Sequence, residues 1–384
     1  MQRVATIAQD ETEDPTTLAD SDSCFSTFNR VQIHHKIISN PLNQGIKRVT
    51  HPMILLHGFG ASVYSWSRVM KPLANATASQ VVAFDRPAFG LTSRGQTSSG
   101  SQPLSPYSMM FSALATMHFI DFLTAADKAI LVGHSAGALV ALDAYFEAPE
   151  RVAALVLVAP AILAPFSMKS AVKENQKGNN FVFMFGSLLM GLIKGIGRMI
   201  YFLYQKTLSA ILLKNMVYSY QLIISLFWPL RNVSDKDVMF HIRIIIDKFG
   251  TRAVRAAWYD SKQVSDDVLL GYTKVSTTYL PNEGEGMDRA LAEFAVAILT
   301  DSASVSKDKR LSEISCPVLI ITGDTDRLVP SWNSERLARA IPGSSFRVID
   351  KCGHVPHEEK AHEFLSIVDE FLQRVFEAPP QEAT

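Results

Sequence analysis

The sequence predicts an α/β fold: a mostly parallel, doubly wound sheet with an inserted helical cap. Three observations carry that expectation. Short continuous apolar runs recur along the chain, separated by helical patterns, as parallel strands covered on both faces require. That beat breaks between about Pro165 and Ser315, where helical patterns stand without clear strands. Finally, Gly133-His134-Ser135-Ala136-Gly137 sits between a β-branched apolar stretch and a helical one, a strand-to-helix turn with serine at its apex.

The first residues are acidic, with Asp10, Glu11, Glu13, Asp14, Asp20 and Asp22 and no apolar segment. This argues against a secretory signal and against a transit peptide, and predicts a disordered tail over residues 1–24. Alternation in Val31–Ile37 predicts a half-exposed strand near the sheet edge. Strands follow at Met53–Leu56, Gln80–Phe84, Ile130–Val132, Ala154–Val158, Val318–Ile321 and Phe346–Ile349. Helices are expected over Tyr64–Leu73, Tyr107–Leu123, Ala136–Glu147, Trp332–Ala340 and Glu358–Phe376. A surface loop is expected over Thr92–Ser108, which is rich in Ser, Gly and Pro.

The domains read as a first core part at 25–164, a helical cap or lid at 165–315, a second core part at 316–376 and a flexible tail at 377–384. In the cap, Phe181–Ile193 is almost wholly apolar, and Ile196–Tyr204 and Ile211–Leu230 add more apolar surface. A bilayer span needs about 20 uninterrupted apolar residues, and Lys194 and Arg198 cut the run short. Cap helices burying one another, or a surface that meets lipid or lines an apolar tunnel, both fit this composition.

Among 384 residues, 47% are apolar and 19% charged, enough to bury a sizeable core. Lysine plus arginine equals aspartate plus glutamate at 37 each, which leaves no global attraction for nucleic acid. Cys24, Cys316 and Cys352 are too scattered for a disulfide framework or a zinc site, and fit a reducing, intracellular compartment. The sequons at Asn75 and Asn232 are read as chance.

A serine hydroxyl needs a base within hydrogen-bond reach, itself held by an acid. In an open α/β sheet these groups belong on loops at the carboxyl ends of strands. Two such loops follow Ser135: Gly323–Pro330, with Asp324 and Asp326, and Asp350–Pro356, with His354. Both aspartates are open as the acid. His357 and His362 rival His354 but fall at or inside the helix near Glu358, where solvated-face roles suit them. A metal site from His354, His357, Glu358 and His362 lacks a matching helical pair. No metal and no cofactor is expected.

These residues, with His57-Gly58-Phe59-Gly60 and Asp85-Arg86-Pro87-Ala88-Phe89-Gly90, resemble the α/β-hydrolase superfamily of the lid-bearing esterase and lipase type. The cap at Lys169–Arg289 and the Asp85–Ser93 wording are most similar to uncharacterised plant members, which implies a plastid as one location. The resemblance implies Ser135 as nucleophile, His354 as general base and Asp326 as acid. It also implies an oxyanion hole from the backbone N–H groups of Ala136 and Phe59. Gly58, Phe59 and His134 are expected around the substrate pocket; a packed place at the elbow is the alternative for His134. Asp85 and Arg86 are expected to hold their loop as a structural pair.

The function expected is hydrolysis of carboxylic esters of lipophilic or acyl substrates through an acyl-enzyme, with peripheral membrane contact through the cap. A carbon–carbon bond hydrolase or lyase would keep the same three residues. A catalytically silent small-molecule receptor would keep only the pocket.

Overall fold

The computed structural model describes residues 18–39, 51–77, 79–93, 104–124, 126–162, 251–278 and 310–376. All of them fall in one compact unit around an eight-stranded sheet. The strands are β1 (Ser23–Phe28), β2 (Val31–Ile38), β3 (Met53–Leu56), β4 (Val81–Phe84), β5 (Ala129–His134), β6 (Val152–Val158), β7 (Val318–Gly323) and β8 (Ser345–Ile349). Their order is β1-β2-β4-β3-β5-β6-β7-β8, antiparallel through β1, β2 and β4 and parallel from there to β8. This is the expected mostly parallel sheet.

The continuous apolar strands are buried on both faces because each face carries helices. Ile54, Leu56, Val82, Phe84 and Leu131 pack with α2 (Met109–Phe119), α3 (Ala136–Glu147) and Leu337 of the helix Ser331–Ala340. Their strand neighbours Met53, Leu55, Val81, Ala83 and Ile130 point to the opposite face. There they meet α1 (Met70–Thr77) and the C-terminal helix Ala361–Phe376. That last helix presents Phe364, Val368, Phe371 and Leu372 as one apolar stripe.

Several elements depart from expectation for identifiable reasons. The disordered tail expected over residues 1–24 is corrected at its end: Ser23 and Cys24 open β1, a strand not expected from the sequence, which pairs with β2 through a two-residue turn at Asn29 and Arg30, both with positive φ. The helix expected over Tyr64–Leu73 divides into a 3₁₀ turn at Val63–Trp66 and α1. Pro72 explains the break: it sits in the first turn of α1, where its missing N–H costs nothing, and it would clash inside a longer helix. The helix expected from Glu358 likewise splits into Pro356–Glu359 and Ala361–Phe376.

Of the cap, α4 (Thr251–Ala257) and α5 (Asp266–Thr278) are described. The apolar runs at Phe181–Ile193, Ile196–Tyr204 and Ile211–Leu230 lie outside the described residues, as do residues 1–17 and 377–384. Among the described residues no helix is long and apolar enough to cross a membrane. Chain order then sets the remaining labels: α6 is Ser331–Ala340, α7 is Pro356–Glu359 and α8 is Ala361–Phe376.

Candidate active site

β5 delivers its last residue, His134, to the carboxyl edge of the sheet, and α3 begins two residues later. Ser135 between them has φ 52° and ψ −117°, a conformation a side-chain-bearing residue adopts only under constraint. Three backbone hydrogen bonds supply it. Ser135 N–H donates to Val158 O at 2.9 Å, and Ser135 O accepts from Ala138 and Ala161, each at 3.1 Å. Close approach explains the flanking glycines. A Cβ at Gly137 would lie 2.1 Å from Leu56 O, and one at Gly133 would lie 2.6 Å from Ala138 Cα.

The two following strand-end loops bring the acid and base together. His354 Nδ1–H donates to Asp326 Oδ2 at 2.7 Å, with both side chains almost wholly buried. The other oxygen, Oδ1, accepts from the N–H groups of Leu328 and Val329, each at 2.8 Å. Asp326 is therefore fixed at both oxygens, and the lone pair of His354 sits on Nε2. Asp324 is exposed and instead accepts from Cys352 N–H at 3.1 Å and from the Thr325 hydroxyl at 2.5 Å. Burial alone would raise its pKa, but these hydrogen bonds hold it below the usual carboxylate value. It caps the loop that leads to His354.

The loop after β3 presses on the elbow: a Cβ at Gly58 would lie 3.2 Å from Ser135 Cβ and 2.9 Å from His134 Nδ1. The Gly58 carbonyl accepts from His57 Nδ1 at 2.8 Å and from Arg86 Nη2 at 3.2 Å. His57 Nε2 accepts from the Arg86 backbone N–H at 3.0 Å, which settles its tautomer. Burial, then the Arg86 charge, pushes the His57 pKa down to about 3, and burial lowers Arg86 to about 9. A planar trans peptide directs its C=O and N–H oppositely. Pinning the Gly58 carbonyl toward Arg86 thus aims the Phe59 N–H away from it. Ala136 N–H stands at the first position of α3, where the helix supplies no acceptor of its own. The Phe59 ring remains 57% exposed and meets Phe89 edge-on at 5.6 Å.

Asp85 ties its loop through His34 Nδ1 at 2.7 Å and through the N–H groups of Val63 and Leu91 at 2.7 and 2.8 Å. His134, expected at the pocket mouth, is buried and donates from Nε2 to the His354 carbonyl at 2.9 Å, the packed alternative. His357 is a correction: it lies on no solvated face but is fully buried, 4.3 Å from the Trp66 ring and 4.6 Å from that of His134. Pro356 starts a separate turn there and folds residue 357 inward, whereas His362, on α8, is exposed. Burial pushes the His357 pKa down to about 3. No group of three His, Cys, Asp or Glu among the described residues could hold a metal ion.

Sequence reasoning set Glu358 beside His354 only in a rejected metal reading, and missed Glu359 and Tyr272 as neighbours of this site. Glu358 is buried and accepts from the Tyr272 hydroxyl, and burial raises its pKa to about 8. Glu359 bridges the His354 loop to the start of the described cap segment. Only the run of two glutamates two residues after Pro356 offered any signal.

A family model described as the alpha/beta hydrolase family matches residues 53–367. The chain is 33% identical over 133 residues to the abhydrolase domain-containing protein abhd-5.2 of Caenorhabditis elegans, covering 35% of this chain and 28% of that protein. It is 45% identical over 64 residues to 2-hydroxy-6-oxononadienedioate/2-hydroxy-6-oxononatrienedioate hydrolase 2 of Pseudomonas putida, covering 17% and 22%. Both matches take in under a third of the relative's length. The crystal structure of Cfl2 from Burkholderia cenocepacia superposes with a TM-score of 0.58 at 20% identity, over 91% of this chain and 95% of that one.

Proposed function

The chain belongs to the alpha/beta hydrolase family, and on that premise we propose that it is a serine hydrolase of lipophilic carboxylic esters acting through an acyl-enzyme. With Nδ1 held by Asp326, the His354 Nε2 takes the Ser135 proton while the hydroxyl oxygen attacks the ester carbonyl. The oxyanion is held by the N–H groups of Ala136 and Phe59. Imidazolium then protonates the leaving alcohol, and the neutral ring activates water to release the acid. Asp326 keeps the ring in one tautomer and stabilises its charged form.

The observation that carries this reading is the buried 2.7 Å His354–Asp326 pair, tied through His134 to a strained elbow bearing Ser135. A lipophilic substrate is supported by Phe59 and Leu328, apolar side chains 57% and 55% exposed on the oxyanion and acid loops. Peripheral membrane contact through the apolar run Phe181–Ile193 belongs to the same proposal, tested by whether the protein pellets with liposomes.

The test is fluorophosphonate labelling and p-nitrophenyl ester turnover by wild type and Ser135→Ala. Loss of the nucleophile should abolish labelling and lower turnover by about a million-fold. Equal turnover by both proteins rejects the assignment. A second reading, hydrolysis of a carbon–carbon bond on the same triad, is favoured by the likeness to the Pseudomonas putida hydrolase. Wild-type turnover of 2-hydroxy-6-oxononadienedioate without ester turnover selects it.

A further inference from the structure

His134 precedes Ser135 by one residue, yet its side chain serves the loop across the site. Its Nε2 lies 2.9 Å from the backbone carbonyl of His354, in a buried setting. A carbonyl only accepts, so Nε2 carries the proton and Nδ1 the lone pair. Burial, with His357 and His354 beside it, keeps the ring's pKa well below the ordinary imidazole value, so the donor is neutral. It adds no positive charge beside an imidazolium forming on His354.

His354 is held from the other side too. Its backbone N–H donates to Ala257 O at 2.6 Å, and Asp326 takes the Nδ1–H. The two main-chain bonds bracket the α-carbon, the third fixes the ring, and Nε2 is the polar atom left over. Of the three, the bond from His134 is the one that leads back to the serine, through a single peptide link. A displacement of the elbow therefore carries the base with it.

We infer that His134 is a positioning residue, tying the main chain of His354 to the elbow and so setting the distance between imidazole and hydroxyl. This rests on the reading of Ser135 and His354 as nucleophile and base. Mere space-filling between the rings of His354 and His357, at 4.9 and 4.6 Å, is the competing role. A space-filling ring has no use for a donor at the ε position.

The experiment compares His134→Gln, His134→Asn and His134→Leu in the full chain by fluorophosphonate labelling of Ser135, separating the limiting rate from the probe's apparent dissociation constant. Glutamine carries an N–H donor near the place of Nε2, asparagine carries it one bond short, and leucine has none. The Asn and Leu variants are expected to lose about 100-fold in limiting rate, the cost of misplacement by about 1 Å, with probe affinity nearly unchanged. The Gln variant is expected to recover at least about tenfold of that loss. Circular dichroism identifies any variant that fails to fold. Should leucine be that one, the Asn and Gln pair decides.

Wild-type limiting rates in all variants overturn the inference and leave the nucleophile standing. An equal loss in all three, or a loss in affinity alone, marks a packing or pocket-lining role and overturns it as well. A wild type that does not label at Ser135 overturns the underlying reading, and the inference with it.

Discussion

At Asp326 the two carboxylate oxygens have separate duties: one faces His354, and the other is held by two backbone N–H groups. Asp324, two residues away, shares the loop but binds Cys352 N–H and Thr325 instead. Replacing Asp326 with asparagine offers the imidazole a donor where it needs an acceptor, and favours the wrong tautomer. Asp326→Asn should lower kcat by about 10,000-fold. Asp324→Asn weakens only a loop cap, with a change under about tenfold expected from the roughly 1 kcal/mol such a bond contributes. Ester turnover by the two variants checks this. A similar fall in both would remove the assignment of the acid.

At the scale of elements, α7 is a four-residue turn whose glutamates both engage the described cap segment. Glu359 Oε2 accepts from Gly353 N–H at 2.7 Å and from Tyr259 N–H at 3.0 Å, while Oε1 accepts from Asp260 N–H at 3.2 Å. Glu358 accepts from Tyr272 on α5, and its carbonyl accepts from Arg68, whose guanidinium lies over the Trp258 ring. The loop bearing His354 and the turn after it are thus fastened to residues 257–272 by several hydrogen bonds. Gly353 reflects that closeness, since a Cβ there would lie 2.2 Å from Ala257 O. Glu359→Ala is expected to destabilise the protein by about 1.5–3 kcal/mol, the range for hydrogen bonds to a charged group. Amide exchange at residues 353, 259 and 260 should accelerate together; unchanged exchange at all three refutes the staple.

For the whole molecule, buried ionisable groups set how stability follows pH. Glu358 titrates near 8 when folded against about 4.5 when unfolded, so its contribution is full below 4.5 and is lost as pH rises through 8. His57 and His357 titrate near 3 when folded against about 6.5 unfolded, so theirs is full above 6.5 and is lost as pH falls toward 3. Each group changes stability by about 1.4 kcal/mol per pH unit inside its window. Between pH 4.5 and 6.5 these two histidines, with buried His134 acting in the same direction, outweigh the one glutamate; between 6.5 and 8 the glutamate is the one of these four that still acts. Thermal unfolding should therefore occur at the highest temperature near pH 6.5, and Glu358→Gln should flatten the alkaline side. An alkaline limb that persists in that variant would show another group is responsible.

The sequence by itself determined the two-faced parallel sheet, because a strand covered by helices on both sides must be apolar at every position, as Met53–Leu56 and Val81–Phe84 are. It also placed Ser135, an aspartate at 324 or 326 and His354 on successive strand-end loops, because such loops of a parallel sheet converge on one edge; the choice of Asp326 came from the resemblance to the hydrolase family. β1 escaped notice because it is only partly buried and its turn is Asn29-Arg30, without the glycine that marks most hairpins. What only the tertiary structure decided is which side chains steady those loops. His134 and His354 are 220 residues apart, and Tyr259 and Glu359 are 100 apart. Periodicity is a property of near neighbours in the chain, so it reveals elements. A hydrogen bond between distant loops exists only once packing has fixed where those loops meet.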